Sequence, residues 1–157
     1  MQKTNALRIL EKNGVEFKTY YKNLDKAVDG VTFAKLFNLS VDNTYKTLVT
    51  RGKSNNYYVF MIPVANTLDL KKAALNVSEK NVEMIHSKDL LLTVGYVHGG
   101  CSPIGMKKSF TTVIQEGYGS NKKIVFSGGK IGLLVEIEAK DLKRVINVKK
   151  GDIIKNE

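Results

Sequence analysis

Hydrophobic and polar residues follow two different periods along this chain, and the change between them predicts the order of its elements. Apolar residues that recur every three or four positions indicate helices, and those that alternate with polar residues indicate strands. The helical pattern covers residues 4–13, 29–37, 68–75, 87–92 and 139–145. The strand pattern covers residues 15–21, 45–50, 56–62, 80–85, 110–115, 123–126 and 133–137.

Local signals place the ends of several of these elements. Thr4 or Asn5 is suited to cap the first helix, Gly14 to end it, and Ser87 to cap the fourth. The turn at 51–54 predicts that the second and third strands form a hairpin.

The arrangement of elements indicates the fold class. Strands outnumber helices, connections are short, and helices and strands do not alternate regularly, which excludes a doubly wound parallel sheet. We therefore predict an α+β fold with a mixed, largely antiparallel, β-barrel-like sheet flanked by helices. No repeat or low-complexity linker interrupts the 157 residues, so residues 1–157 are expected to form a single domain.

Charge adds a functional indication. Hydrophobic residues make up 43% of the chain and charged residues 25%, which is ordinary for a globular protein. The net charge of +10 is large for this length and favours an anionic partner such as nucleic acid or a nucleotide. The alternative is that the lysines only keep the protein in solution. They are spread along the chain, which favours a compact binding surface over a disordered basic arm.

Targeting signals are absent from the sequence. No apolar run approaches the length of a membrane span, and the N-terminus lacks the apolar region of a signal peptide. Cys101 is the single cysteine, so no disulfide framework is possible. We expect a cytoplasmic protein without a membrane partner.

The least regular stretch is the loop at 95–105, GYVHGGCSPIG, which holds four glycines and one of the two prolines. Its main chain is accessible to another molecule because the glycines carry no side chains. Gly100 and Gly105 have the spacing of a P-loop, but Met106 stands where that motif requires lysine, and a strand pattern follows where it requires a helix. The P-loop interpretation is therefore rejected.

Metal and cysteine chemistry have few candidate residues. Only His86, His98 and Cys101 offer soft ligands, and nothing nearby completes a set, so we expect no metal and no cofactor. Cys101 would need an activating base to act as a nucleophile, and His98 is close in sequence. The alternative is that Cys101 is a small buried apolar residue.

What remains is a set of groups that could hold an activated ester and stabilise an oxyanion. It contains the backbone amides of Gly99, Gly100, Gly128 and Gly129, the cation of Lys46, the hydroxyls of Thr47, Ser102 and Ser127, and the aromatic pair Tyr20 and Tyr21. The two tyrosines point to opposite faces of a strand, so only one can face a pocket. Each feature also has a plain alternative: paired glycines often only form a hairpin turn, and a lysine in a strand is usually solvated.

Taken together, these segments resemble the YbaK/EbsC family of aminoacyl-tRNA deacylases, which is similar to the inserted editing domain of bacterial prolyl-tRNA synthetases. The matching pieces, in the order of the family, are residues 10–14, 45–48, 63–65, 68–72, 80–84, 95–105 and 127–133. The resemblance implies a mixed β-barrel-like fold with surrounding helices. It also implies removal of a mischarged amino acid, above all cysteine, from proline tRNA.

The resemblance assigns roles to individual residues. Lys46 matches the key functional lysine, with Thr47 beside it, and Gly100 matches the glycine that lines the amino-acid pocket. Ser127 and Gly129 match the wall of that pocket. Tyr20 or Tyr21 matches a tyrosine on the substrate side, and Tyr21 is favoured.

Other positions depart from the family or vary within it. Leu134 falls where some members carry an aspartate, and His98 and Cys101 occupy variable positions. In the YbaK branch the thiol of the substrate cysteine is thought to attack the ester, which agrees with the missing protein nucleophile.

The sequence thus predicts an editing enzyme that acts in trans on the acceptor end of aminoacyl-tRNA, with prolyl-tRNA synthetase as an expected partner. An enzyme specific for alanyl- or seryl-tRNA is one alternative, since a hydrophobic pocket discriminates poorly between small side chains. Another is a non-catalytic nucleotide- or RNA-binding module on the same fold. A third is a fragment of a prolyl-tRNA synthetase.

Overall fold

The fold combines four α-helices, two 3₁₀ helices and eight strands in a computed structural model that describes residues 3–120 and 122–156. The α-helices are α1 Asn5–Lys12, α2 Gly30–Leu36, α3 Leu70–Asn76 and α4 Ser87–Val94, and the 3₁₀ helices are Tyr118–Ser120 and Ala139–Arg144. The strands are β1 Phe17–Tyr21, β2 Tyr45–Gly52, β3 Tyr57–Pro63, β4 Val82–Met84, β5 Thr111–Gln115, β6 Lys123–Ser127, β7 Leu133–Glu138 and β8 Val148–Gly151. Within the described residues, no helix is both long and apolar enough to span a membrane.

Two sheets carry these strands. The smaller sheet has the order β1-β7-β6 and is antiparallel throughout. The larger sheet has the order β4-β2-β3-β5-β8, in which β4, β2 and β3 are antiparallel and β5 and β8 run parallel to their neighbours. This mixed, largely antiparallel α+β architecture confirms the predicted fold class. In the described strands the sheets meet at a bridge between Thr44 and Val125 and do not close into a complete barrel.

Strand β3 lies at the centre of the molecule because both of its faces are covered. Phe60, Met61 and Ile62 are completely buried. Phe60 and Ile62 pack in a cluster with α3, whereas Met61 packs with α1 and the smaller sheet. A continuous apolar run is what a strand buried on both faces requires.

Three local expectations need correction. The last predicted helix is a 3₁₀ helix, Ala139–Arg144, in which hydrogen bonds join residues three positions apart instead of four. Ser87 begins α4 but does not cap it, since His86 holds the cap position without a side-chain hydrogen bond. Strand β8 was not predicted: it is a short strand with two exposed lysines and pairs in parallel with β5.

The first helix is capped as predicted. The Thr4 hydroxyl accepts a hydrogen bond from the backbone amide of Leu7 at 3.2 Å, and it donates one to the Gly128 carbonyl at 2.5 Å. The same side chain therefore starts α1 and ties that helix to the turn between β6 and β7.

Candidate active site

The start of strand β2 lines a cavity of about 220 Å³ at the junction of the two sheets. Thr44 forms the bridge to β6, and the next four residues of the chain, 45–48, each contribute atoms to the cavity lining. The end of β6 contributes Ser127, and the glycine-rich loop contributes His98, Gly99 and Cys101. The segment 45–48, Ser127 and the glycine-rich loop, all singled out from the sequence, thus converge on one space.

Apolar side chains close the rest of this cavity. They come from the segment before α2, from α2 itself, and from the strands and helices around it: Ala27, Val28, Phe33, Leu48, Val64, Leu90 and Leu134. Sequence reasoning selected none of them as a site residue and named only Leu134, as a departure from the family, because apolar residues at these positions give no signal beyond core packing. An apolar wall with a few convergent polar groups is typical of a small-molecule site.

Lys46 and Thr47 supply the polar groups on the β2 side. Both side chains are partly buried and line the cavity. The Thr47 hydroxyl is shielded from solvent and has no hydrogen-bond partner among the described residues. Buried hydroxyls are nearly always paired, so this one is placed to bond with a ligand.

Ser127 supplies a hydroxyl from the opposite wall. Its Oγ accepts a hydrogen bond from the backbone amide of Gly129 at 3.1 Å, which fixes the side chain and leaves its proton available for donation. The backbone of the turn is fixed as well, since the Gly128 amide donates to the Leu133 carbonyl at 3.0 Å. Gly128 and Gly129 therefore shape the turn, and neither lines the cavity.

The glycine-rich loop packs directly against that turn. A Cβ atom on Gly100 would lie 2.8 Å from the backbone nitrogen of Ile131 and 2.9 Å from the carbonyl carbon of Lys130. Gly99 has a φ of +86°, and a Cβ there would collide with the side chain of Ala27. Glycine is required at both positions for the loop to approach the wall, although only Gly99 itself lines the cavity.

Ser102 lies inside the loop rather than at the cavity. It is fully buried, and its Oγ accepts a hydrogen bond from the Ile104 amide at 3.2 Å. The Tyr96 hydroxyl donates to the Ile104 carbonyl at 2.6 Å. Ser102 thus belongs to the hydrogen bonds that hold the loop in shape.

Neither tyrosine of the predicted pair lines the cavity, and strand pairing distinguishes between them. Tyr20 lies opposite Leu134, which in turn lies opposite Ser127, so the three residues form one row on the cavity face of the sheet. The Tyr20 ring packs against Phe37, and its hydroxyl donates to Glu136 at 3.3 Å. Tyr20 thus packs beside Leu134 at the edge of the apolar wall, whereas the side chain of Tyr21, favoured from the sequence, points to the other face of β1.

Cys101 is poorly suited to act as a nucleophile. Its side chain is 8% exposed, and burial raises the pKa of its thiol to about 12. The reactive thiolate is therefore scarce at neutral pH. The interpretation of Cys101 as a small buried residue in the cavity wall is the one that the structure favours.

Asp29 adds a carboxylate that the sequence analysis had treated only as the start of a helix. It lines the cavity and accepts hydrogen bonds from the amide and hydroxyl of Thr32 at 2.9 and 2.8 Å. These bonds lower the pKa of the carboxyl group, so it is ionised at neutral pH. In the described part of the chain, no three His, Cys, Asp or Glu side chains lie close enough together to hold a metal ion.

Comparison with known proteins agrees with this geometry. The family model of the aminoacyl-tRNA editing domain matches residues 26–145, which include every residue that lines the cavity. A protein of Enterococcus faecalis, provisionally named Cys-tRNA(Pro)/Cys-tRNA(Cys) deacylase EbsC, is 38% identical over 157 residues, covering 99% of this chain and 96% of the relative.

Solved structures show the same fold at lower sequence identity. A protein provisionally described as a trans-editing enzyme for prolyl-tRNA synthetase superposes with a TM-score of 0.84 at 21% identity, covering 99% of this chain and 100% of that one. The hypothetical protein APE2540 superposes with a TM-score of 0.85 at 19% identity, covering 97% and 100% of the two chains. With the sequence matches, these findings establish that the chain belongs to the family of aminoacyl-tRNA editing domains.

Proposed function

We propose that this protein removes cysteine from mischarged tRNA, with Cys-tRNA(Pro) as its main substrate and Cys-tRNA(Cys) as a second one. The observation that carries the proposal is the convergence of Lys46, Thr47 and Ser127 on one apolar cavity. An aminoacyl ester presents a carbonyl oxygen and a side chain, and the cavity offers polar groups for the first and an apolar wall for the second.

The size and lining of the cavity suit a small amino acid. Its volume of about 220 Å³ is below the roughly 300 to 1,000 Å³ of sites for drug-sized ligands. Apolar residues such as Leu48, Val64 and Leu134 would surround the side chain of the substrate. Cysteine fits this environment because its thiol is only weakly polar.

Lys46 is the residue to which we assign catalysis. When a nucleophile adds to the ester carbonyl, negative charge develops on the carbonyl oxygen, and a nearby ammonium group stabilises it. The Thr47 hydroxyl would donate a second hydrogen bond to the same region. The protein forms no covalent bond in this proposal, since the ester is already activated and needs mainly to be positioned.

The bond changes are those of ester hydrolysis. An oxygen of water, or the thiol of the substrate cysteine, bonds to the carbonyl carbon, and the bond from that carbon to the ribose oxygen breaks. The ribose oxygen takes up the proton, which regenerates the tRNA terminus. If the thiol attacks, the cyclic thioester that forms is then opened by water.

Partners and location follow from the substrate. Aminoacyl-tRNA is the substrate, and prolyl-tRNA synthetase, which makes the mischarged tRNA, is the partner we propose, in the cytoplasm. The net charge of +10 would help the chain attract tRNA, with binding that weakens as salt increases.

The test is deacylation of proline tRNA charged with cysteine, alanine or proline. Rapid loss of cysteine with stable alanyl and prolyl esters is the expected result. Selective loss of alanine would contradict the cysteine assignment, and no turnover of any of the three esters would contradict deacylation itself and favour an RNA-binding role.

A further inference from the structure

A second cavity, of about 340 Å³, lies next to the candidate active site across the contact between the glycine-rich loop and the β6–β7 turn. Val97 lines it, one residue before His98 in the first cavity, and the segment 129–131 lines it on the other side. A substrate chain that leaves the active site over this wall would therefore reach the second cavity.

Three of the large side chains that line the second cavity are exposed to solvent. Tyr21 is 39% exposed, Leu91 is 51% exposed and Val97 is 43% exposed. The neighbouring Leu92 is 77% exposed. Large apolar side chains that gather in one exposed patch mark a surface where another molecule binds.

The charge at this surface is positive. The ammonium group of Lys130 lies 5.0 Å from the centroid of the Tyr21 ring. Among the described residues that line the cavity, Lys130 carries a positive charge and none carries a carboxylate. An aromatic ring beside a lysine is the arrangement that proteins use to bind an unpaired base and its phosphate.

We propose that this second cavity, the nucleotide cleft formed by Tyr21, Leu91, Val97 and Lys130, holds an unpaired nucleotide of the tRNA acceptor end, adjacent to the nucleotide that bears the amino acid. The base stacks on Tyr21 and contacts the two aliphatic side chains, and Lys130 meets the phosphate. This inference rests on the proposed function, because the active site must hold the esterified terminus for the cleft to hold its neighbour.

The main test separates the cleft from the active site by using two substrates. One is Cys-tRNA(Pro), and the other is a cysteinyl ester of adenosine, which lacks the preceding nucleotides. Tyr21→Leu keeps apolar area but removes the ring, and Tyr21→Phe keeps the ring as a matched control. We expect Tyr21→Leu to lower kcat/KM on the tRNA roughly tenfold, which is the size of effect expected when one base loses its stacking partner. The rate on the adenosine ester should be unaffected.

Two results of that test would overturn the proposal. One is an equal loss of kcat/KM on both substrates, which would show that Tyr21 acts in the active site or is needed for the stability of the fold. The other is no loss on the tRNA. Tyr21→Phe should behave as the wild type on both substrates.

A binding experiment keeps the cleft testable even if no substrate is turned over. Titration of the full chain with an uncharged CCA trinucleotide should shift the NMR signals of Tyr21, Leu91 and Val97, and Tyr21→Leu should weaken the binding. Such shifts without deacylation would refute the proposed function and support the cleft. If the signals of the cleft residues do not shift, nucleotide binding at the cleft is refuted, and an apolar protein partner is favoured there instead.

The salt dependence of binding tests the proposed contact between Lys130 and the phosphate separately. Lys130→Ala should reduce the slope of log binding constant against log salt by about 0.7, the value for one phosphate of a single strand. Lys53→Ala, an exposed lysine beyond the far end of β2, is the matched control and should leave the slope unchanged. Equal slopes for Lys130→Ala and the wild type would contradict the phosphate contact.

Discussion

Each end of strand β2 contains a threonine with a shielded hydroxyl, but only one of the two hydroxyls has a hydrogen-bond partner in the described residues. Thr50 is fully buried, and its hydroxyl donates to the Tyr58 carbonyl at 3.3 Å. Thr47, three positions earlier, has an equally shielded hydroxyl with no partner among the described residues. An unpaired buried hydroxyl costs about 1–3 kcal/mol, so the start of β2 gives up stability that its end retains.

The charged groups at the far end are likewise paired within the chain. At the far end, Glu79 accepts hydrogen bonds from the hydroxyls of Ser54 and Tyr58, and Arg51 forms an ion pair with Glu83 at 3.4 Å. At the near end, Lys46 faces the cavity. One strand thus has two different ends: residues of the chain satisfy the polar groups at its end, whereas the Thr47 hydroxyl at its start has no partner among the described residues.

The largest expected effect on packing comes from adding a methyl group beside the cavity, compared with adding one at the far end of β2. In Gly100→Ala, the new Cβ meets backbone atoms of Lys130 and Ile131 that cannot move independently. Overpacking of this kind costs about 1–3 kcal/mol, and we expect it to displace the cavity wall and lower deacylation more than tenfold.

Gly52→Ala is the matched control at the far end. There the new Cβ meets the carboxylate of Glu79, which is the end of a flexible side chain and can move away. A smaller loss of stability with normal activity is expected, measured by urea unfolding and by the deacylation rate. Equal activity losses in the two variants would contradict the division of β2.

Substitution of Thr47 and Thr50 tests the same comparison more specifically, although the expected effects are smaller. Thr47→Val removes an unpaired hydroxyl while nearly keeping its shape, so the free energy of unfolding should stay the same or rise, while deacylation falls about tenfold. Thr50→Val removes a hydrogen bond and leaves the Tyr58 carbonyl without it, so stability should fall by about 1 kcal/mol with normal activity. The reverse pattern in the two variants would show that the cavity end is not the functional one.

Sequence patterns predicted most of this architecture because its elements carry strong local signals. The continuous apolar run of β3, the Thr4 cap and the β2–β3 hairpin are all confirmed. Strand β8 was not predicted because its exposed lysines do not alternate with apolar residues, and because its pairing with β5 is a tertiary contact.

The sequence predicted the site residues that carry polar or charged groups in recognisable motifs. It did not predict those whose position depends on tertiary packing. Lys46, Thr47 and Ser127 were selected from motifs, and the structure brings them to one cavity. The choice between Tyr20 and Tyr21 depends on which face of β1 meets β7 and β6, and that information lies in strand pairing far away in the sequence.

Acid should weaken the far end of β2 selectively. Hydrogen bonds from Ser54 and Tyr58 lower the pKa of Glu79 below its ordinary value of 4.5. Its stabilising contribution is therefore complete above about pH 4.5 and is lost as the pH falls through the lower, folded-state pKa. Glu79→Gln should flatten part of the loss of stability that the wild type shows as the pH falls below 4.5, measured by urea unfolding at each pH. An unchanged pH profile would contradict this contribution.

The smallest expected effect is at Cys101. Because its thiol has a raised pKa of about 12, it should react slowly with iodoacetamide at pH 8, and Cys101→Ala should retain deacylation within a few fold. Loss of activity to the level of the uncatalysed reaction, with the fold intact by circular dichroism, would show that the thiol takes part in the chemistry.

The most direct measurement of the central claim is the rate of Cys-tRNA(Pro) deacylation by Lys46→Ala beside Arg51→Ala, which removes a cation from the other end of the same strand. We expect Lys46→Ala to lose at least a hundredfold in rate with little change in unfolding free energy, and Arg51→Ala to be as active as the wild type. Deacylation by Lys46→Ala at the wild-type rate would contradict the assignment of catalysis to the start of β2.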